Sequence, residues 1–336
     1  MYTTLANTLK VADEHIRYDE CAKKVIANIS VAALILKTCT DEFAEFDAEY
    51  IADNCIGHVS IAESAAHQDH GRGLDGDERL ECLNSESSSI NEGTVHFDVK
   101  FRANLPKENG KSISLMINLE MQKKDNPGYA VATRGIYYSA RMISEQYGTV
   151  FRESEYHKIQ KAYSIWICPE PTKKRKNSII KYCITEKELY GKSFTDYKDY
   201  DKMNVVIVNL GDMEGAIDNQ ALDFLGTLFS IKMSFEEKKE KLGSKYGIKM
   251  TKELERDLSE MCSLSFGIEE IGIRKGIEQG VEEGTFKTLL RLVEKGKITI
   301  VDAAETAGVG VDALLKKKEE YERSGERDYS CLCKCK

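Results

Sequence analysis

Two neighbouring stretches in the first half of the sequence alternate between apolar and polar residues, and this alternation constrains the fold more than any other feature. The first, TVHFDVKFRANL, spans residues 94–105, and the second, KSISLMINLEMQ, spans residues 111–122. Alternation with a period of two is typical of half-buried β-strands. Because the turn-rich run PKENG separates the two stretches, we expect them to form an antiparallel hairpin.

Carboxylates from both strands are expected to meet on the polar face of this hairpin. The alternation puts Asp98 on the polar face of the first strand, and Glu120 and Gln122 together on one face of the second. If the chain reverses in the middle of PKENG, Asp98 lies opposite Asn118 and Glu120, where the Cβ atoms of paired residues are roughly 4.5–5.5 Å apart. Two carboxylates at this separation repel each other unless a positive charge lies between them.

A divalent metal ion would supply that positive charge. Mg²⁺ prefers oxygen ligands and is commonly held by one or two carboxylates together with a substrate phosphate. The sequence therefore predicts that Asp98 and Glu120 bind Mg²⁺, with Mn²⁺ as a substitute. Gln122 could hold a water through its amide, and Lys124 would add positive charge if the strand continued. The alternative is a solvated polar face of a one-sided sheet, which the spacing alone leaves equally open.

Longer blocks around these strands resemble the PD-(D/E)XK nuclease superfamily, and in particular its branch of nuclease family transposases, which is similar to recombination-promoting nucleases. The shared order is an aspartate, a hairpin, Glu-x-Gln, and then a helix that begins with Thr-Arg-Gly-Ile-Tyr-Tyr. An ordered set of blocks is far more specific than a short Asp and Glu-x-Lys pattern. The matching blocks, which cover about the first two-thirds of the chain, are FDVKF (97–101), INLEMQ (117–122), PGY (127–129), TRGIYY (133–138), ARMIS (140–144) and YSIWIC (163–168).

The resemblance implies a restriction-endonuclease-like α/β fold, with a mixed sheet flanked by helices, and Mg²⁺-dependent hydrolysis of DNA. Asp98 and Glu120 would hold the metal, the Met121 carbonyl would complete the ligand set, and Gln122 would orient the attacking water. Most of the superfamily has lysine at the position of Gln122, whereas the transposase branch is similar to this chain in having glutamine. A neutral amide is a poor general base, so we expect slow cleavage. The alternative function is a nuclease-fold protein that binds nucleic acid or regulates without turnover.

Three charged residues outside the hairpin are further candidates. The superfamily usually takes another metal-associated glutamate from a helix that precedes the aspartate, and Glu42 is our candidate. The alternative for Glu42 is a first-turn carboxylate stabilised by a helix dipole. Residues 129–147 are predicted to form a helix in which Arg134 and Arg141 share a face and could bind a phosphodiester backbone. The alternative for Arg141 is an ion pair with Glu145, four residues on.

The overall charge and hydropathy of the chain exclude several classes of protein. A net charge of −8 and a pI of about 5.5 argue against a broadly basic surface for nucleic acid, so DNA contacts are expected to be local. No apolar run approaches the roughly 20 residues that span a bilayer, and the N-terminus lacks the apolar core of a signal peptide. We therefore expect a cytoplasmic protein that has no membrane partner.

Changes in composition along the chain suggest four parts, with a helical extension at the C-terminus. Residues 1–232 are the predicted nuclease-like domain, in which residues 63–93 form an irregular polar loop. Residues 233–284 are the predicted helical connector, which ends in a run with glycine at every fourth position. Residues 285–324 are similar to a small helix-turn-helix unit that would bind DNA, a protein partner or a second copy of the chain. Residues 325–336 are predicted to be a disordered tail that contains cysteines.

Overall fold

The structure of the chain is a computed structural model. It describes residues 14, 16–56, 86–89, 93–106, 112–211 and 218–323. The chain divides into two compact units, Met1–Phe266 and Gly267–Lys336.

The described residues form short strands and helices in an order typical of an α/β protein. The strands are β1 (Glu86–Ser89), β2 (Gly93–His96), β3 (Val99–Pro106), β4 (Ser112–Met121), β5 (Lys161–Cys168), β6 (Ser178–Cys183) and β7 (Met203–Asn209). The helices are α1 (residues 16–26), α2 (Ile29–Cys39), α3 (Ala48–Ile51), α4 (Val131–Ser144), α5 (Tyr197–Tyr200), α6 (Gln220–Phe229), α7 (Phe235–Tyr246), α8 (Lys252–Glu294), α9 (Ile300–Ala307) and α10 (Val311–Arg323). A π-helical turn (Ala52–Ile56) follows α3, and a 3-10 turn (Tyr156–Lys158) precedes β5.

A five-stranded mixed sheet lies at the centre of the first unit. Its spatial order is β3-β4-β5-β7-β6, in which β4, β5 and β7 are parallel and the edge strands β3 and β6 are antiparallel to their neighbours. The hairpin predicted from the alternating pattern is present, with Val99 paired to Leu119 and Pro106 to Ser112. The mixed sheet flanked by helices confirms the predicted α/β fold.

Helices cover both faces of this sheet, which explains why its central strands are almost continuously apolar. On one face, Phe101, Leu119 and Ile165 belong to the main core together with residues of α2 and α6. On the other face, Trp166 and Val205 belong to a second core that includes residues of α4. The alternation of strand side chains therefore divides the core into two layers, and α4 packs on the side of Glu120.

The sequence predicts one continuous strand for the alternating stretch that contains Asp98, but in the structure this stretch is interrupted. β2 pairs with β1 in a separate two-stranded sheet, and Phe97 and Asp98 separate β2 from β3. Val99 packs in the α2-side core, whereas Phe97 packs on the α4 side, with its ring centroid 5.1 Å from that of Tyr138. An unbroken strand would put Phe97 and Val99 on the same face, so the predicted face of Phe97 is wrong.

The N-terminal helices also differ from the prediction. A single helix over residues 13–36 is predicted, but Asn28 separates α1 from α2. Its side-chain oxygen accepts hydrogen bonds from the N–H groups of Ser30 at 3.1 Å and Val31 at 3.3 Å, which is a favourable N-cap. The predicted helix that starts at Thr40 is instead a series of turns followed by α3.

Parts of the chain beyond residue 232 contribute to the core of the first unit. Leu242 of α7 and Leu254 and Leu258 of α8 are buried in the α2-side core, so these segments are more than the connector that the glycine pattern suggested. The predicted tail, residues 325–336, and most of the predicted loop, residues 63–93, lie outside the described residues. Among the helices that the structure describes, none has the length and apolar content needed to cross a membrane.

The second unit contains a small core of its own. Phe286 and Leu290 of α8, Ala303 of α9 and Leu314 of α10 are buried together. Gly308, with φ of 68°, ends α9 in the left-handed conformation that glycine adopts without strain, and α10 starts shortly after it. α9 and α10 are thus two short helices joined by a glycine turn, and the binding of DNA or of another protein by this part of the chain stays a proposal.

Candidate active site

Asp98 and Glu120 meet where β3 begins and β4 ends. The pairing of Val99 with Leu119 places Asp98 beside Glu120 across the two strands. The main-chain N–H of Asp98 donates a hydrogen bond to Glu120 Oε1 at 3.0 Å, and the N–H of Met121 donates one to Asp98 Oδ2 at 3.0 Å. Each carboxylate is therefore fixed by the main chain of the opposite strand.

The environment of Glu120 disfavours its ionised form. Only 2% of the residue is exposed. Burial, together with the nearby charge of Asp98, raises the pKa of Glu120 to about 8, although hydrogen bonds from the Asp98 N–H and from Asn118 oppose the change. Without a cation between them, the two carboxyl groups would therefore retain a proton at neutral pH.

Lys23 of α1 adds a positive charge to this pair. Its Nζ lies 2.8 Å from Asp98 Oδ1, and 43% of the Lys23 side chain is exposed, against 15% for Asp98. Burial would lower the pKa of Lys23, but the hydrogen bond and charge of Asp98 outweigh it and raise that pKa. Sequence reasoning missed Lys23, because this residue lies in a helix far ahead of the hairpin and no local spacing links it to Asp98.

Arg134 of α4 lies next to Gln122, the residue that follows the end of β4. Its Nη1 donates to Tyr129 Oη at 2.9 Å and makes a longer contact of 3.4 Å with Gln122 Oε1, while Nη2 donates to Tyr138 Oη at 2.6 Å. Arg134 Cζ is also 5.0 Å and 5.2 Å from the ring centroids of Tyr138 and Trp166, within range of cation–π attraction. The structure thus holds Arg134 in place next to Gln122.

Glu42 is not part of this group, which corrects the sequence-based prediction. Its carboxylate accepts hydrogen bonds from Lys161 Nζ at 2.7 Å and Tyr163 Oη at 2.8 Å. Lys161 is the first residue of β5, whereas Glu120 pairs with Trp166. The five intervening steps along a strand span roughly 16 Å. Glu42 therefore belongs to an ion-pair network at the opposite end of the sheet.

Lys124 and Arg141 also differ from their predicted positions. β4 ends at Met121, so Lys124 is not on the strand face of Glu120; it lies exposed in the following loop. Buried Asp125 holds that loop by accepting a hydrogen bond from the Thr172 N–H at 2.9 Å. Arg141 is only 5% exposed, and a DNA backbone cannot reach a guanidinium that is buried under α4.

The orientation of α4 explains why Arg141 is buried. The residues that α4 turns towards the protein include Tyr138, Ser139 and Arg141, whereas Ile136 and Tyr137 are each 43% exposed. The sheet face below is itself partly polar, because it carries buried Lys100, whose Nζ donates to Glu145 Oε1 and Oε2 at 3.0 Å. The buried face of α4 is therefore mixed, because Ser139 and Arg141 lie on it together with the apolar side chains of Val131 and Met142.

The residues at this site fit a hard divalent cation. Within the part of the chain that the structure describes, no group of three or more His, Cys, Asp or Glu side chains is arranged to hold a metal. Mg²⁺, however, is commonly held by one or two carboxylates, with water and phosphate as its remaining ligands. Asp98 and Glu120 provide two carboxylates. The contact between the Lys23 ammonium group and Asp98 shows that a positive charge fits beside this pair.

Comparison with known proteins agrees with the resemblance in the sequence blocks. A family model described as PD-(D/E)XK nuclease family transposase matches residues 78–261, which is more than half of the chain. No curated protein and no solved structure matches the chain. The matched residues include the hairpin, both carboxylates, α4 and the three following strands of the sheet. The chain therefore belongs to the PD-(D/E)XK nuclease family transposases.

Proposed function

We propose that this protein is a divalent-metal-dependent endodeoxyribonuclease that hydrolyses phosphodiester bonds in DNA. The observation that carries the proposal is the convergence of Asp98 and Glu120, each held by a main-chain hydrogen bond of 3.0 Å. Family membership supports a nucleic acid as the substrate. The raised pKa of Glu120 supports a cation site, because a cation between the two carboxylates would relieve their repulsion.

Different residues of the chain would bind the metal ion and orient the attacking water. Asp98, Glu120 and the Met121 carbonyl would hold Mg²⁺, or Mn²⁺ in its place. When bound, such an ion lowers the pKa of water and polarises the scissile phosphate. Gln122 would orient the attacking water through its amide but cannot accept a proton, so we expect slow turnover.

Arg134 is the proposed contact for the substrate phosphate. The two tyrosine hydroxyls and the aromatic rings around it fix the guanidinium before DNA binds. A charge that is already in position stabilises the negative charge that develops during hydrolysis without further reorganisation. Arg134 would therefore orient the phosphate from the α4 side of the site.

A second candidate function is a nuclease-fold protein that binds nucleic acid without cleaving it. The observation in its favour is that the position after Glu120 and Met121 carries the neutral Gln122 instead of a group that can accept a proton. A protein of this kind would retain DNA yet show no cleavage in the presence of Mg²⁺ or Mn²⁺.

Nicking of supercoiled plasmid tests the proposal against this alternative. Wild-type protein should convert supercoiled to open-circular DNA with Mg²⁺ or Mn²⁺ and not with excess chelator. Asp98→Ala and Glu120→Gln should each reduce the rate at least about 100-fold, as expected when a group essential for transition-state stabilisation is lost. Asp199→Asn, which removes an exposed carboxylate from α5, is the matched control and should retain the rate. Full cleavage by Asp98→Ala would contradict the assignment.

A further inference from the structure

Lys23 contacts the oxygen of Asp98 that a cation would need. Asp98 Oδ2 already accepts the main-chain N–H of Met121 at 3.0 Å, and that bond belongs to the framework between the two strands. Asp98 Oδ1 is 2.8 Å from Lys23 Nζ. A divalent ion that binds Asp98 without disturbing the strands would therefore bind at Oδ1, where the ammonium group now lies.

The side chain of Lys23 can leave this position without moving its helix. Ala22, Val25 and Ile26 of α1 are fully buried in the main core, which fixes the helix. The Lys23 side chain, in contrast, is 43% exposed, and its ammonium group is carried on a flexible four-carbon stem. Rotation of that stem would carry the ammonium group into solvent while α1 stays packed.

We propose that Lys23 is an internal counter-ion that occupies Asp98 until a divalent cation displaces it, and that it thereby weakens cation binding at the site. This inference rests on the proposed function. The ammonium group balances the charge of Asp98 when no cation is bound, because its Nζ lies 2.8 Å from Asp98 Oδ1. The site then remains assembled when it is empty, and cation affinity is lower than two carboxylates alone would give.

Calorimetric titration with Mn²⁺ tests this competition directly. Lys23→Met should bind Mn²⁺ about 3- to 10-fold more tightly than wild type, as expected when a partly exposed ion pair no longer has to break. Lys24→Met is the matched control, since Lys24 is the next residue of α1 and is exposed; it should bind as wild type does. Lys23→Arg, which keeps the charge, should also remain close to wild type.

The stability of the metal-free protein provides an independent readout. Lys23→Met should melt at a lower temperature than wild type without metal, because it leaves the Asp98 carboxylate without its counter-ion. Saturating Mn²⁺ should raise its melting temperature by more than it raises that of wild type. These melting curves also show whether Lys23→Met is folded, so that weak Mn²⁺ binding by an unfolded protein would be recognised. Comparison with Lys23→Arg then shows whether the positive charge at this position is what weakens Mn²⁺ binding.

The outcomes separate this inference from the proposed function. If Glu120→Gln abolishes Mn²⁺ binding but Lys23→Met and wild type bind equally, the metal site stands and the role of Lys23 is refuted. If folded Lys23→Met binds Mn²⁺ more weakly than wild type does, the role of Lys23 is likewise refuted. If neither wild type nor any Lys23 variant binds Mn²⁺, both the proposed function and the inference are overturned.

Discussion

Replacement of Gly135 by alanine tests the packing that positions α4 over the sheet. A Cβ at this position would lie 2.4 Å from Val205 Cγ1 and 3.0 Å from Trp166 Nε1. Val205 is 1% exposed and Trp166 is fully buried, with its indole N–H bonded to Ser164 Oγ at 2.8 Å. Carbon atoms pack best about 3.5–4.0 Å apart, so α4 or the strand must shift by roughly 1 Å or more.

Two opposing contributions set the size of the effect. Overpacking a close-packed core costs about 1–3 kcal/mol, and the short distance to Val205 places this site in the upper part of that range. Alanine in a helix is favoured over glycine by about 1 kcal/mol. The expected net result is a decrease of about 1–2 kcal/mol in the free energy of unfolding. Because Arg134 precedes Gly135, the shift should also displace its guanidinium and slow cleavage.

Urea unfolding followed by the fluorescence of the single tryptophan, Trp166, measures this change in the first unit. Gly243→Ala is the matched control, because Gly243 lies within α7 and no neighbouring heavy atom falls within 4 Å of its Cβ position. It should stabilise the protein by about 0.5–1 kcal/mol. If Gly135→Ala stabilised the protein as the control does, the close approach of α4 to the sheet would be refuted.

Three further predictions follow from the buried charges. Glu145→Ala leaves the ammonium group of Lys100, which is 3% exposed, without its partner, so urea unfolding should show a loss of about 3–5 kcal/mol, largely recovered by adding Lys100→Met. The pKa of Glu120 is raised from 4.5 to about 8, so in the metal-free protein the contribution of Glu120 to stability should be fully present below pH 4.5 and lost as the pH rises through 8; thermal melts of wild type should contain this contribution and those of Glu120→Gln should lack it. Burial would raise the pKa of Asp223, but hydrogen bonds from two lysines and a tyrosine outweigh it and lower that pKa to about 2. Asp223→Asn should therefore melt at a lower temperature than wild type at pH 6, and the difference should vanish as the pH falls from 3.8 to about 2.

The fold was largely predictable because strand periodicity is local. Alternation in residues 94–105 and 111–122 located the hairpin and the approximate register of Asp98 and Glu120, and the apolar run 163–168 located a buried strand. These patterns depend only on which side of a strand each residue faces. They fail at Phe97, because the strand is broken there and the ring packs against Tyr138 on the α4 side.

The surroundings of the carboxylate pair were less predictable, because tertiary packing determines them. Lys23 reaches Asp98 only through the packing of α1 in the core. Chain order alone predicts a place for Glu42 beside the carboxylate pair, but the structure pairs it with Lys161 at the other end of the sheet. The helical spacing predicts an open face for Arg141, but α4 packs that face against the sheet, where Arg141 is buried beside Tyr138 and Met142.

Calorimetric titration with Mn²⁺ measures most directly whether Asp98 and Glu120 together hold one divalent cation. We expect wild type and Asp199→Asn to bind one ion per chain, and we expect both Asp98→Ala and Glu120→Gln to lose this binding while remaining folded. Equal binding of Mn²⁺ by wild type and by both folded variants would contradict the account.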